Sequence, residues 1–369
     1  MRILIAIPSD ELGGAEQYLK NIARFYLKAG DYVDVYFLTA SKFFGWEDLK
    51  EFEKLRLFFP KATREKEGAV ALVNFIRKTK LRYDLSFSSH VHLNFLLGML
   101  RKLKILKTTY LIGRESTTVH ERFKSLKVLP FNLAYKTFYK SLDLLICQSD
   151  FMKDSLVRNV PRLAKSVRVV VLKNPIDLGE ISNKVLSAQH KGEYSNYLVS
   201  AGRLIHEKGF DLLIEAFSQL KNSNLFLIVL GKGKEELALK ELAMEKGLVD
   251  KVLFPGFSDD VYSYFKYAKA CVVSSRIEGF PNVLLQMMAS NSRVVSTTCA
   301  GGIDEIPGIF LAKPSDVNSL KLAIENAISA STEFDLEIQE QFNNELQRRD
   351  VNVFIEKIYY ELQTNFKEN

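Results

Sequence analysis

The sequence predicts an α/β protein built from two parallel-sheet, Rossmann-like domains. Three observations carry that expectation. The chain has 369 residues, too many for one typical domain and suited to two of ordinary size. Short apolar, β-branched runs alternate with periodic helical segments in both halves, as in parallel sheets wrapped on both faces. The alternation breaks at Lys173 to Gly192, where Asn174-Pro175-Ile176-Asp177 ends a strand and a polar stretch leads to the next. The domains are therefore placed at 1–177 and 178–350, with 351–369 as a C-terminal amphipathic helix.

In the first half, Ile3–Ile7, Tyr32–Leu38, Leu55–Phe59, Asp84–Ser88, Thr109–Ile112, Leu144–Cys147 and Val167–Leu172 read as strands. Between the first two, PSDELGG turns into a helix from about Ala15 to Ala29. Gly13 and Gly14 at its start let backbone approach a ligand, and the helix end favours negative charge. Past Ile112, Gly113-Arg114-Glu115-Ser116 is expected to turn out from a carboxyl sheet edge, where ligands of open α/β sheets bind. His120 follows early in a helix.

The second half opens with the strand Tyr197–Ser200 and then AGRLIHEKGFDLLIEAF. Arg203 and Lys208 lie in the loop after Gly202, beside a helix from about Gly209 to Leu220. Two cations at a helix N-terminus suit a pyrophosphate, Arg as a planar fork and Lys as a point charge. Leu225–Leu230 and Val252–Phe254 follow as strands, the latter running into Pro255-Gly256-Phe257. Then Ala270–Ser274 and Arg293–Thr297 flank the turn Arg276-Ile277-Glu278-Gly279-Phe280-Pro281 and a helix from Asn282 to about Ser290. This arrangement sets Glu278 at a carboxyl sheet edge and aims first-turn N–H groups at the same space, a ready anion site. Gln286 sits one turn into that helix.

Composition narrows the function classes. Hydrophobic content of 47% and charged content of 26% are those of a globular protein with a substantial core. Cys147, Cys271 and Cys299 have no metal-ligand spacing, and buried free thiols in a reducing compartment are expected. No signal peptide and no membrane-spanning run is expected. The net charge of +7 is uneven: residues 1–175 hold 31 basic against 17 acidic residues, and the remainder 20 against 27. Most of the excess lies in 76–140, where RKTKLR (77–82), RKLKILK (101–107) and the stretch 121–140 mix Lys and Arg with Leu, Phe and Tyr. An amphipathic basic surface of this kind suits an anionic membrane face. No nucleic-acid motif is present, and no nucleic-acid partner is expected.

At E-G-F-P-N-V-L-L-Q-M-M-A (278–289), followed by V-V-S-T, the chain resembles the retaining nucleotide-sugar glycosyltransferases of family 4, of the bacterial surface-polysaccharide type. The resemblance implies the GT-B fold, two Rossmann-like domains facing a cleft, with the C-terminal helix crossing back onto the first domain. It implies roles for residues of this chain. Glu278 would orient the donor sugar, Arg203 and Lys208 would bind the donor phosphates, and the N–H groups near Asn282 and Val283 would assist them. Gly14, Gly202, Gly279 and Phe280 would line the donor, and Phe257 the nucleobase. In the family a second glutamate bonds the ribose; here Gln286 holds that place, where an amide can still bond a diol. Many relatives carry a histidine where this chain has Glu115, which becomes a catalytic candidate, with Arg114 and His120 as acceptor-side candidates. NPID at the hinge, GGAEQ in the first loop and Glu305 also match the family.

The expected function is transfer of a hexosyl or N-acetylhexosaminyl group, with retention, from a nucleotide-sugar to a hydroxyl of a saccharide acceptor, lipid-linked, in lipopolysaccharide, capsule or similar assembly. The donor is a substrate rather than a cofactor, with a UDP-sugar favoured over a GDP-sugar. No metal is expected, and the chain lacks Asp-x-Asp. The expected place is the cytoplasm, peripherally on the inner face of the cell membrane. Two alternatives stand beside this reading: another GT-B enzyme such as a nucleotide-sugar 2-epimerase, and a non-catalytic GT-B binding protein.

Overall fold

Thirteen short strands, all paired in parallel, form the two sheets of the computed structural model, which describes residues 1–11, 13–41, 45–122, 128–190, 195–221 and 224–364. The chain divides into two compact units, Met1–Pro175 together with Asp350–Asn369, and Ile176–Arg349.

The first unit runs β1 (Arg2–Ile7), α1 (Gly14–Lys28), β2 (Tyr32–Phe37), β3 (Leu55–Phe58), α2 (Glu65–Thr79), β4 (Arg82–Ser88), α3 (Val91–Lys102), β5 (Lys107–Arg114), α4 (Val119–Arg122), α5 (Leu129–Thr137), β6 (Leu144–Cys147), α6 (Asp150–Asn159), α7 (Pro161–Ala164) and β7 (Arg168–Val171). The sheet order is β3-β2-β1-β4-β5-β6-β7. Alternation along each strand feeds two cores. Ile3, Ile5 and Ile7 of β1 pack with α1, while Leu4 and Ala6 join the core beneath α2 and α3. Because both faces are covered, the strands read as continuous apolar runs rather than as alternation. The last described helix, α15 (Val351–Gln363), belongs to this unit. It buries Val351, Phe354, Ile355 and Ile358 against α1, with Phe354 edge-on to Tyr18 at 5.7 Å between centroids. Four such side chains stabilise by roughly 8 kcal/mol before the cost of ordering them.

The second unit runs α8 (Leu178–Ser187), β8 (Tyr197–Ala201), α9 (Phe210–Ser218), β9 (Phe226–Leu230), α10 (Glu236–Glu245), β10 (Val252–Gly256), α11 (Val261–Tyr267), β11 (Ala270–Val273), α12 (Asn282–Ser290), β12 (Val294–Thr297), β13 (Phe310–Ala312), α13 (Val317–Ser329) and α14 (Thr332–Arg348), in sheet order β10-β9-β8-β11-β12-β13. One core lies under α9, α10 and α13, the other under α8, α11, α12 and α14.

Two differences from the sequence reading have physical reasons. The edge strand β13 is not among the strands read from the sequence, because three residues are too few to show a period. More consequentially, β5 does not end at Ile112 but continues to Arg114, since Gly113 and Arg114 pair with Leu145 and Ile146 of β6. All three cysteines are free and buried. Among the described residues no helix is long and apolar enough to cross a membrane.

Candidate active site

The order of the second sheet sets where its loops meet. From β8 the chain winds outward to β9 and β10, then crosses to β11 and on to β12, so β8 and β11 are neighbours whose following loops diverge. Such a switch point leaves a crevice at the carboxyl edge. The loop after β8 carries Gly202, Arg203 and a single 3-10 turn, His206–Lys208. The loop after β11 carries Ser274 to Pro281 and leads into α12, whose N-cap residue Pro281 makes no side-chain capping bond. The two loops meet in an ion pair: Lys208 Nζ lies 2.5 Å from Glu278 Oε1, and Ser275 Oγ donates to the same oxygen at 2.8 Å. The Glu278 amide donates to Cys299 O, tying in the loop after β12. Gly209 is required here, with φ +64° and room for no Cβ, which would stand 2.2 Å from Ser274 O.

The remaining donor-binding candidates divide. Gly202, Gly279, Asn282 and Val283 line the same pair of loops in sequence. Phe257, just beyond β10, is 65% exposed and available to stack on a planar group. Phe280 instead turns inward, 7% exposed, beneath the Arg349 guanidinium at 4.6 Å. Gln286 is half-buried, and its amide donates to the Tyr262 hydroxyl at 3.2 Å, so a diol would have to share or displace that bond.

In the first unit the equivalent switch point lies between β1 and β4. Gly14 begins α1 there, and Gly13 caps it. Two histidines that carried no signal in the sequence follow β4. His90 Nε2 lies 3.5 Å from Glu16 Oε1, and His92 Nε2 3.4 Å from Glu65 Oε2. Burial, then the charges of His92 and Arg114, push His90 down to about 3, so its contact with Glu16 is that of a neutral imidazole rather than an ion pair. Only their place at a strand end beside β1 could have singled them out.

Arg114 and Glu115 are a correction. They do not turn out from the sheet edge, because β5 runs on through Arg114 and both side chains point into the unit, 2% and 1% exposed. Arg114 donates to Ser89 Oγ at 2.8 Å and Asn174 Oδ1 at 2.6 Å and lies over the Tyr18 ring. Glu115 accepts from Tyr135 at 2.9 Å and Tyr139 at 3.0 Å, and its backbone oxygen accepts from Gln148. Burial raises the Glu115 carboxyl to about 7, against the opposing pull of the two tyrosines and Arg114. Both are interior anchors of the β5 end, and Glu115 lines a small cavity together with Thr117, His120, Tyr135 and Met152. His120 is likewise held, bonded to Asn132 at 2.9 Å and stacked at 6.0 Å on Tyr135.

The basic segments are largely surface. Arg77, Lys78, Lys80 and Arg82 are exposed, as are Lys102, Lys104, Lys107, Lys136 and Lys140. Among them stand Leu103, Leu129 and Leu133, each more than half exposed. Leu129, Leu133 and Lys136 recur at helical spacing along one face of α5. Part of the 121–140 stretch, residues 123–127, lies outside the described residues. Among the described residues, no group of three or more His, Cys, Asp or Glu is placed to hold a metal ion.

Two doubly wound parallel-sheet units, the second with Lys208 and Glu278 meeting at its switch point, define an α/β protein of the GT-B fold. Solved structures agree. Anabaena HepE, crystallised with UDP and glucose, superposes with a TM-score of 0.78 over 99% of this chain and 100% of its own at 21% identity. Sucrose-phosphate synthase of Thermosynechococcus elongatus gives 0.74 over 98% and 99% at 18% identity. The model of glycosyl transferases group 1 matches residues 183–348, and that of glycosyltransferase family 4 matches residues 12–180. The chain belongs to the family 4 glycosyltransferases. An uncharacterised glycosyltransferase of Methanocaldococcus jannaschii is 32% identical over 179 residues, covering 47% of this chain and 44% of the relative. The N-acetylgalactosamine-N,N'-diacetylbacillosaminyl-diphospho-undecaprenol 4-alpha-N-acetylgalactosaminyltransferase of Campylobacter jejuni is 34% identical over 170 residues, 46% and 45% respectively. The chain thus spans less than half the length of these curated relatives. Mannosylfructose-phosphate synthase of Agrobacterium fabrum is 27% identical over 335 residues, 79% of this chain and 72% of the relative.

Proposed function

We propose that the chain transfers a glycosyl group, with retention, from a nucleotide-sugar to a hydroxyl of a saccharide acceptor. The observation that carries this is the meeting of the Lys208 and Glu278 loops at the β8/β11 switch point. Charge builds on the departing diphosphate in such a reaction. Preorganised cations and a helix N-terminus lower that cost most where water is excluded. Arg203, Lys208 and the first turn of α12 are the groups for this role, making the transfer independent of a metal ion, and Glu278 orients the sugar. Lys208 has three N–H donors and can keep Glu278 while reaching a phosphate oxygen. The donor is a UDP-sugar, supported by the UDP held in HepE, and the transferred group is hexosyl or N-acetylhexosaminyl.

The acceptor is carried on a lipid diphosphate in surface-polysaccharide assembly. Supporting this are the undecaprenol-linked substrate named for the Campylobacter relative and the lipopolysaccharide core glycosyltransferase LpsE of Rhizobium meliloti, 27% identical over 165 residues. Leu103 and the lysines at the end of α3, with Leu129, Leu133 and Lys136 of α5, supply a peripheral contact with the anionic cytoplasmic face of the membrane. The test is a thermal-shift series with UDP, GDP and ADP. A ligand at about 100 times its Kd adds roughly 2.7 kcal/mol, which raises the melting point visibly. UDP is expected to stabilise the wild type and not Lys208→Met; no shift with any of the three would refute the reading.

A further inference from the structure

The 3-10 turn that bears Lys208 contains no buried residue and makes no side-chain cap bond. It is held from across the switch point. Arg276 NH1 donates to His206 O at 2.8 Å, the Arg276 amide donates to Glu207 O at 2.7 Å, and Ser274 Oγ donates to Lys208 O at 3.0 Å. Three successive carbonyls of the turn are thus gripped by two residues of the loop that also presents Glu278. The Arg276 guanidinium then forks onto Asp211, in the first turn of α9, with bonds of 2.7 and 2.6 Å. Burial alone would raise the Asp211 carboxyl, but the Arg276 bonds outweigh it and hold the group below its usual value.

Resting on the reading that Lys208 meets the donor diphosphate, we propose that Arg276, braced by Asp211, is the positioning residue that sets Lys208 for that contact. One planar fork spans the carbonyl of the turn and the carboxylate of the following helix. A lysine, with a single point charge, cannot reproduce both directions at once. Arg276 touches no part of the donor itself; its effect passes through the backbone it holds.

A double-mutant cycle on nucleotide affinity tests this, with Kd measured by titration calorimetry for the wild type, Arg276→Lys, Lys208→Met and the double variant. The probe is UDP, or GDP or ADP if one of those is what stabilises the wild type. Arg276→Lys is expected to weaken binding about tenfold when Lys208 is present and less than twofold in the Lys208→Met background, because interactions routed through one partner are not additive. Asp211→Asn should give a smaller loss with the same dependence on Lys208, and it serves in place of Arg276→Lys if that variant does not fold. Equal losses in both backgrounds mean a merely structural bond and overturn the proposal, as does no loss in either. If Lys208→Met itself leaves binding unchanged, it is the donor-site reading that fails, and the proposal with it.

Discussion

Replacing Glu115 by Gln turns a buried, titrating carboxyl into a neutral group of the same shape. The carboxyl is 1% exposed, and burial raises it from 4.5 to about 7. A raised acid is protonated in the fold while still ionised in the unfolded chain. Its stabilising contribution is therefore complete below pH 4.5 and is lost as pH rises through about 7. At 1.36 kcal/mol per pKa unit, the whole shift corresponds to roughly 3 kcal/mol, most of which is lost between pH 5 and pH 8. The wild type should lose that much relative to Glu115→Gln across the interval. Any fixed cost of setting an amide between two tyrosine hydroxyls drops out of the difference. The assay is urea unfolding followed by tryptophan emission. Trp46 is the only tryptophan in the sequence, is buried in the first unit, and reports that unit. With a slope of roughly 2.5 kcal/mol per molar urea, the two midpoints should move about 1 M relative to each other. A wild-type-minus-variant difference that is flat from pH 5 to pH 8 would refute the burial argument, and loss of turnover at unchanged stability would restore Glu115 as a catalytic candidate.

Two further outcomes are expected. Gly209→Ala places a Cβ 2.2 Å from Ser274 O at a residue with φ +64°, so the second unit should lose about 2 kcal/mol or more and nucleotide binding should fall with it; an unchanged melting point and Kd would show that the turn relaxes freely. Phe354→Ala removes a ring that is 4% exposed and set edge-on to Tyr18, and it should cost the first unit about 3 to 5 kcal/mol in urea unfolding read from Trp46. A loss below about 1 kcal/mol would mean that α15 contributes little to that unit.

What the sequence determined by itself is what depends on local chemistry. Apolar runs buried on both faces mark strands such as Ile3–Ile7 without any knowledge of neighbours. Pro281 and the helix after it are legible from chain-local preferences, and α12 begins at Asn282 as its sequence predicts. The Arg203–Lys208 loop and Glu278 could be named because residue type at a strand end is itself the signal. Tertiary structure decided the rest, since partners are chosen by packing rather than by neighbours in sequence. Whether β5 stops at Ile112 or reaches Arg114 depends on β6 lying alongside it, and that register turns Glu115 from a surface candidate into an interior anchor between Tyr135 and Tyr139. The bond from Gln286 to Tyr262 and the inward turn of Phe280 likewise follow from helices that meet only in the fold. Arg276 shows the distinction most plainly. In sequence it is one charged residue in a turn, and only the adjacency of β8 and β11 brings its fork onto a carbonyl 70 residues away and makes the two loops a single site.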